Sequence, residues 1–174
     1  MEIGRRRSSA SASARDARTI ATIGVYDSSL DDFLGKLRRH HVKQVVDVRQ
    51  RRGVRGPQYA WANSLRLQAA LKQAGVEYRH RPDLAPTTAL RQLQYREDDR
   101  LGVGKRSRVE LAREYRRRYL SELLDHVDLR AFLGSLPDPG VSALLCVERD
   151  AKACHRSLIA ARLHARFKLP VVDL

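Results

Sequence analysis

VSALLCVERDAKACHRSLIAARL, residues 141–163, changes character twice. Val141 to Val147 are apolar or small on both faces, the pattern of a strand buried on both sides. Glu148-Arg149-Asp150 ends that run with charge. After Cys154-His155-Arg156 the segment SLIAARLHARF places apolar side chains at helical spacing, which predicts a helix from about His155 to Phe167. A buried strand followed directly by a helix is the unit of a parallel α/β sheet. The same passage also gathers an acid, a thiol, an imidazole and a guanidinium where strand becomes helix.

The unit recurs on either side. TIATIGVY (19–26) reads as a buried strand, Asp27-Ser28-Ser29 offer N-cap side chains, and LDDFLGKLRRH carries Leu30, Phe33, Leu34 and Leu37 on one helical face. VKQVVDVR (42–49) reads as a second strand ending at Asp47 and Arg49. The loop QRRGVRGPQ leads to a predicted helix from about Tyr59 to Ala74, stopped by Gly75 as a left-handed cap. VEYRH (76–80) is a third strand and LPVVDL (169–174) a closing one. Between them, Arg81 to Arg106 looks irregular. Ser107 and Glu110 fit a capping box that would open a long helix with Val109, Ala112, Tyr115, Tyr119, Leu120, Leu123 and Val127 in its stripe. A short helix is expected over Leu129–Leu136, ended by Pro137-Asp-Pro-Gly140. The expected architecture is a single compact α/β domain over residues 19–174, with a mostly parallel central sheet flanked by helices. Residues 1–18, Arg- and Ser-rich and without an apolar core, read as a disordered basic arm rather than a secretory signal.

Bulk composition narrows the partners. Of 174 residues 43% are hydrophobic, too many for a disordered chain. Lys and Arg number 34 against 20 Asp and Glu, a net charge of +14 that suits nucleic acid or another polyanion. No apolar stretch approaches the roughly 20 residues of a membrane span. Two cysteines do not make a disulfide framework and point to a reducing cytoplasm.

Chemistry-bearing residues cluster at strand ends. Asp47 and Glu148 stand where backbone pairing stops, suited either to general-base work or to holding arginines in place. Cys154 and His155 fall on the first turn of the last helix, where a thiol pKa is lowered, so Cys154 could attack with His155 as base; the alternative is a packed, inert thiol. Cys146 lies in the apolar run and reads as core. A phosphatase loop would need Arg six positions after Cys146, where Lys152 stands. Cys146, Cys154 and His155, with His40-His41 elsewhere, show no recognised zinc spacing, so no metal and no cofactor are expected. Arg49, Arg51, Arg52 and Arg55, around Gly53 and Gly56, suit bidentate phosphate contact, as does Arg156 at a helix start. Lys105 and Arg106 form a second basic stretch. It is not a Walker loop, since Asp99 and Arg106 occupy positions that need Gly and Ser or Thr. Tyr59 and Trp61 could stack on a base or anchor the core.

Taken together, TIGVY, VVDVRQRRGVRGPQYAWAN, GVEYRHRPDLAP, GVGKRSR and CVERDAKACHRSLIAARL resemble the domain of unknown function family 488 over about residues 19–174. The resemblance implies a compact α/β fold and a site. The site would use Asp47 and Arg49 at the end of the second strand with Glu148, Cys154, His155 and Arg156 near the C-terminus. Many relatives carry Leu-Gly-Gly after the third strand, where this chain has Leu84-Ala85-Pro86. The family supplies no reaction. The expected function is binding of a phosphate-bearing ligand, nucleic acid or nucleotide, at the rim; the alternatives are a thiol enzyme and a non-catalytic polyanion binder.

Overall fold

The computed structural model describes residues 18–174; the expected basic arm lies outside the described residues except for Arg18, which pairs with Asp138 at 2.9 Å. Five strands form one sheet: β1 (Thr19–Ile23), β2 (Val42–Asp47), β3 (Glu77–His80), β4 (Val141–Leu145) and β5 (Val171–Asp173). Their order is β3-β2-β4-β1-β5 and every pairing is parallel. The central strands carry apolar residues toward both faces because both faces are covered. Alternate residues serve opposite cores: Ile20, Val46 and Leu144 pack on one side, Ala21, Val45 and Leu145 on the other.

Helix α1 (Leu30–Arg39), opened by a capping box between Ser29 and Asp32, and helix α2 (Ser64–Gln73) cover one face through Phe33, Leu37, Leu67 and Leu71. The other face carries α3 (Thr88–Leu101), α4 (Arg113–Glu122), α5 (Leu129–Gly134) and α6 (Arg156–Phe167). Leu90, Tyr119, Phe132 and Ile159 fill its core. The neighbours β4 and β1 therefore send the chain to opposite faces, β1 into α1 and β4 into α6. That divergence opens a crevice at their carboxyl ends, the usual ligand position in parallel sheets.

Three local expectations are corrected. The segment expected to be irregular contains α3, capped by Thr87 and ended by Gly102 at φ +66°. Its inward stripe is Leu90, Gln94 and Asp98, too polar to show an apolar period. Ser107 and Glu110 open no helix. Ser107 Oγ instead closes a turn by accepting from the Gly104 N–H at 3.0 Å, Val109 is 69% exposed, and α4 begins only at Arg113. The helix expected from Tyr59 is broken at Asn63, whose extended backbone separates a 3-10 segment (Pro57–Ala62) from α2. Asn63 is held there because its side-chain oxygen accepts from the Val54 N–H at 2.7 Å.

Candidate functional site

The carboxyl ends of β2 and β4 and the start of α6 meet. His155 Nε2 lies 3.0 Å from the Val48 carbonyl, so this nitrogen carries the proton and donates it, joining the last helix to the end of the second strand. Arg49, Glu148 and His155 line one cavity of about 490 Å³, bounded by the 49–55 loop, α3 and the 105–111 segment. The two groups that the sequence places a hundred residues apart thus share one depression.

Within it, the charged side chains divide into struts and lining. Arg49 is a strut. Its guanidinium grips Asp47 through Nε at 2.8 Å and Nη2 at 2.7 Å, and donates to the Ala62 carbonyl at 2.9 Å. Asp47, fully buried, also accepts from the Tyr78 hydroxyl at 2.7 Å. Burial opposes the Arg49 charge, yet the bonded Asp47 carboxylate carries its pKa above the ordinary value. Arg156 is a second strut, 1% exposed, donating to the carbonyls of Glu148 and Arg149 at 2.8 Å each. It holds the turn after β4 in place. Gly24 does the same from the other side: a Cβ there would stand 2.1 Å from the Glu148 carbonyl oxygen, so only glycine lets the β1 and β4 ends approach so closely.

Sequence reasoning missed Arg108, although it lay in the basic GVGKRSR stretch. Buried, it donates to Asp98 at 2.6 Å, to Glu148 Oε1 at 3.1 Å and to the Ala153 carbonyl at 3.0 Å. Gln94 completes the chain by donating to Asp98 at 2.8 Å and accepting from the Ala112 N–H at 2.9 Å. Glu148 is 7% exposed, with Lys105 Nζ at 4.0 Å. Burial raises its pKa, aided by the neighbouring Cys154, while Lys105 and Arg108 pull it back. Its other oxygen, Oε2, is buried with no hydrogen-bond partner among the described residues.

Arg51, Arg55 and Arg106 are exposed and line the cavity, as does Arg91, which sequence reasoning did not single out. Arg106 lies over the rings of Tyr26 and Tyr59 at 5.1 and 5.3 Å. Arg52 is turned away, with Nη1 3.5 Å from the Tyr78 hydroxyl. Tyr59 and Trp61 belong to the core beneath α1, Tyr59 against Tyr26 and Trp61 against Phe33 at 5.0 Å. The rings that do line the cavity are Tyr26, Tyr95 and Tyr115.

At the floor, Cys154 Sγ lies 3.6 Å from His155 Nδ1. Burial disfavours the thiolate, but the Cys146 thiol and the charges of His155 and Arg156 outweigh it and hold the Cys154 pKa well below its ordinary value. Cys154 is 1% exposed and does not reach the cavity wall; Cys146, at the end of β4, does. Spacing alone hid this grouping, because the 3-10 turn Ala151–Ala153 folds Cys154 back against Cys146.

Fold and site define the class: a parallel α/β domain covered on both faces, with a cation-lined cavity at the carboxyl edge of its sheet. Residues 29–163 match the family described as "Domain of unknown function DUF488", and the chain belongs to that family. No curated protein and no solved structure matches it. Among the described residues, no helix is long and apolar enough to cross a membrane.

Proposed function

We propose that the cavity binds a phosphate-bearing ligand of nucleotide size. One observation carries this reading. Seven lining residues are Arg or Lys against a single acid, Glu148, and among the described residues no carboxylate pairs Arg51, Arg55, Arg91 or Arg106. Such uncompensated guanidinium groups around a concave site offer bidentate donors to phosphate oxygens. A volume of about 490 Å³ falls within the range of small-molecule pockets. Tyr95 supplies a ring face for a base. Arg51, Lys105 and Arg106 contact the ligand in this reading, while Arg49, Asp47 and Arg156 shape the wall.

Calorimetric titration with a nucleoside triphosphate, inorganic pyrophosphate and a short single-stranded oligonucleotide tests it. Binding of the first two that weakens as salt rises supports the reading. Tight binding of the oligonucleotide alone would replace it with nucleic-acid recognition, and absence of all three would overturn it.

A thiol-dependent reaction is the second reading, favoured by the 3.6 Å contact between Cys154 and His155. Alkylation of Cys154 at about pH 6, below an ordinary thiol pKa, supports it; inertness there counts against it.

A further inference from the structure

We infer that Cys146, Cys154 and His155 form a zinc site whose fourth coordination position opens into the cavity. Their ligand atoms all lie within 4.8 Å of one another. A tetrahedral zinc with Zn–S near 2.3 Å and Zn–N near 2.0 Å spaces its donors roughly 3.5–3.8 Å apart. Cys154 Sγ and His155 Nδ1, at 3.6 Å, already stand at that separation.

The surroundings fit a ligand set rather than a loose packing of thiols. A metal-bound histidine usually donates its second ring nitrogen to a carbonyl or carboxylate, which fixes the tautomer. His155 does so through Nε2 to Val48, leaving Nδ1 for the metal. Two thiolates and a neutral imidazole select a soft or borderline cation over magnesium or calcium. On binding, each thiol releases its proton to solvent, and the resulting Zn(Cys)₂(His) centre carries no net charge.

Three protein ligands with one side open is the arrangement that keeps a water on zinc. Here the open side is identifiable, since Cys146 and His155 line the cavity while Cys154 lies behind them. Glu148 lines the same wall two residues beyond Cys146, and its buried Oε2 has no donor among the described residues. A buried acceptor without a partner calls for a missing water or ion. A zinc-bound water would supply that donor. The zinc site stands on this geometry alone; its use on a phosphate-bearing ligand rests on the function proposed above.

The test uses the full chain, stripped of metal by a chelator under reducing conditions and then titrated with zinc or cobalt(II). The expected result is uptake of one zinc per chain, retained through desalting. Cobalt should give thiolate charge-transfer absorption together with the visible bands of tetrahedral coordination. Cys146→Ala and Cys154→Ala should each abolish uptake, and a His40→Ala/His41→Ala chain should keep it. Should the cysteine variants fail to fold, protection of both thiols of the unaltered chain from alkylation by zinc, lost on chelation, decides the matter. No stoichiometric uptake, or uptake that survives loss of both thiols, would overturn the inference. Calorimetry of the stripped chain with pyrophosphate is read separately, so failure of the zinc site and failure of the phosphate site are told apart.

Discussion

Arg108 Nη2 and Glu148 Oε1 stand 3.1 Å apart, although 40 positions of chain separate them. The contact ties the segment before α4 to the end of β4, and the same guanidinium holds Asp98 of α3 at 2.6 Å. One arginine thus bridges two buried carboxylates from two elements and closes one side of the cavity.

Arg108→Ala should be among the most damaging substitutions in the molecule. It leaves Asp98 buried without its counter-charge and Glu148 with only the more distant Lys105, a loss on the order of 3–5 kcal/mol. For a domain of this size that lowers the melting temperature by about 10 °C. Arg108→Lys should recover only part of the loss, because one ammonium cannot serve both carboxylates and the Ala153 carbonyl in the fork geometry. Thermal unfolding followed by circular dichroism measures both, and a shift within about 1 °C for the alanine variant would refute the bridge.

Gly24 makes the next case. Alanine there would drive a methyl group into the Glu148 backbone at 2.1 Å, with the next contact at 2.9 Å, both in the β4 end rather than in a flexible side chain. We expect Gly24→Ala to cost about 1–3 kcal/mol by overpacking, in chemical denaturation. It should also weaken ligand binding by displacing Glu148. Gly134→Ala, with nothing among the described residues within 4 Å of its added carbon, serves as control and should be neutral or slightly stabilising.

What the sequence revealed follows from which residues have periodic signals. The buried strands were readable because both faces of β1, β2 and β4 are apolar, and α1 because Ser29 and Asp32 announce its start. Helix α3 escaped because its inward face uses Gln94 and Asp98, whose partners, Ala112 and Arg108, lie in a different segment. No local pattern encodes that exchange. The site shows the same division. Strand-end chemistry marked Asp47 and Glu148 directly, and the rim could be drawn from the fold class. Whether an arginine is a strut or a ligand contact depends on distant carbonyls, as with Arg156 and the Glu148–Arg149 backbone, so Arg49 and Arg156 were indistinguishable from Arg51 by sequence. Cys146 read as core and is core, buried in the apolar cluster just past β4, but nothing local shows that the same position also puts its thiol at the cavity wall.

Tyr78 offers a way to separate wall from contact. Its hydroxyl donates to Asp47 at 2.7 Å from outside the cavity lining. Burial raises its pKa, so it remains a donor throughout the neutral range. Tyr78→Phe should lose about 1.5 kcal/mol in denaturant unfolding, the lower range for a hydrogen bond to a charged group, because the ring is only half-buried. Affinity for pyrophosphate should stay within a factor of two or so of the parent, roughly the experimental scatter of a bystander substitution. A large loss of affinity with intact stability would move Asp47 from wall to contact.

Lys105 is the complementary case. Its ammonium lies 4.0 Å from Glu148 and lines the cavity, but is far enough from the carboxylate to serve an incoming anion as well. Burial works against its charge, and the Glu148 carboxylate outweighs it, so its pKa lies above the ordinary lysine value of 10.5. A raised folded pKa keeps the charge in place below that value and surrenders it only as the pH climbs through the raised one. Pyrophosphate affinity should therefore show no loss from Lys105 between pH 7 and 10. Lys105→Ala should weaken binding about tenfold or more, as expected for one charge-assisted contact. The dependence of log affinity on log salt should flatten at the same time, since one fewer cation is neutralised on binding. Arg106→Ala should act the same way and also free the faces of Tyr26 and Tyr59 that its guanidinium covers. Calorimetry at several salt concentrations reads all of these. If affinity fell with the slope unchanged, Lys105 would be stabilising the Glu148 wall rather than touching the ligand.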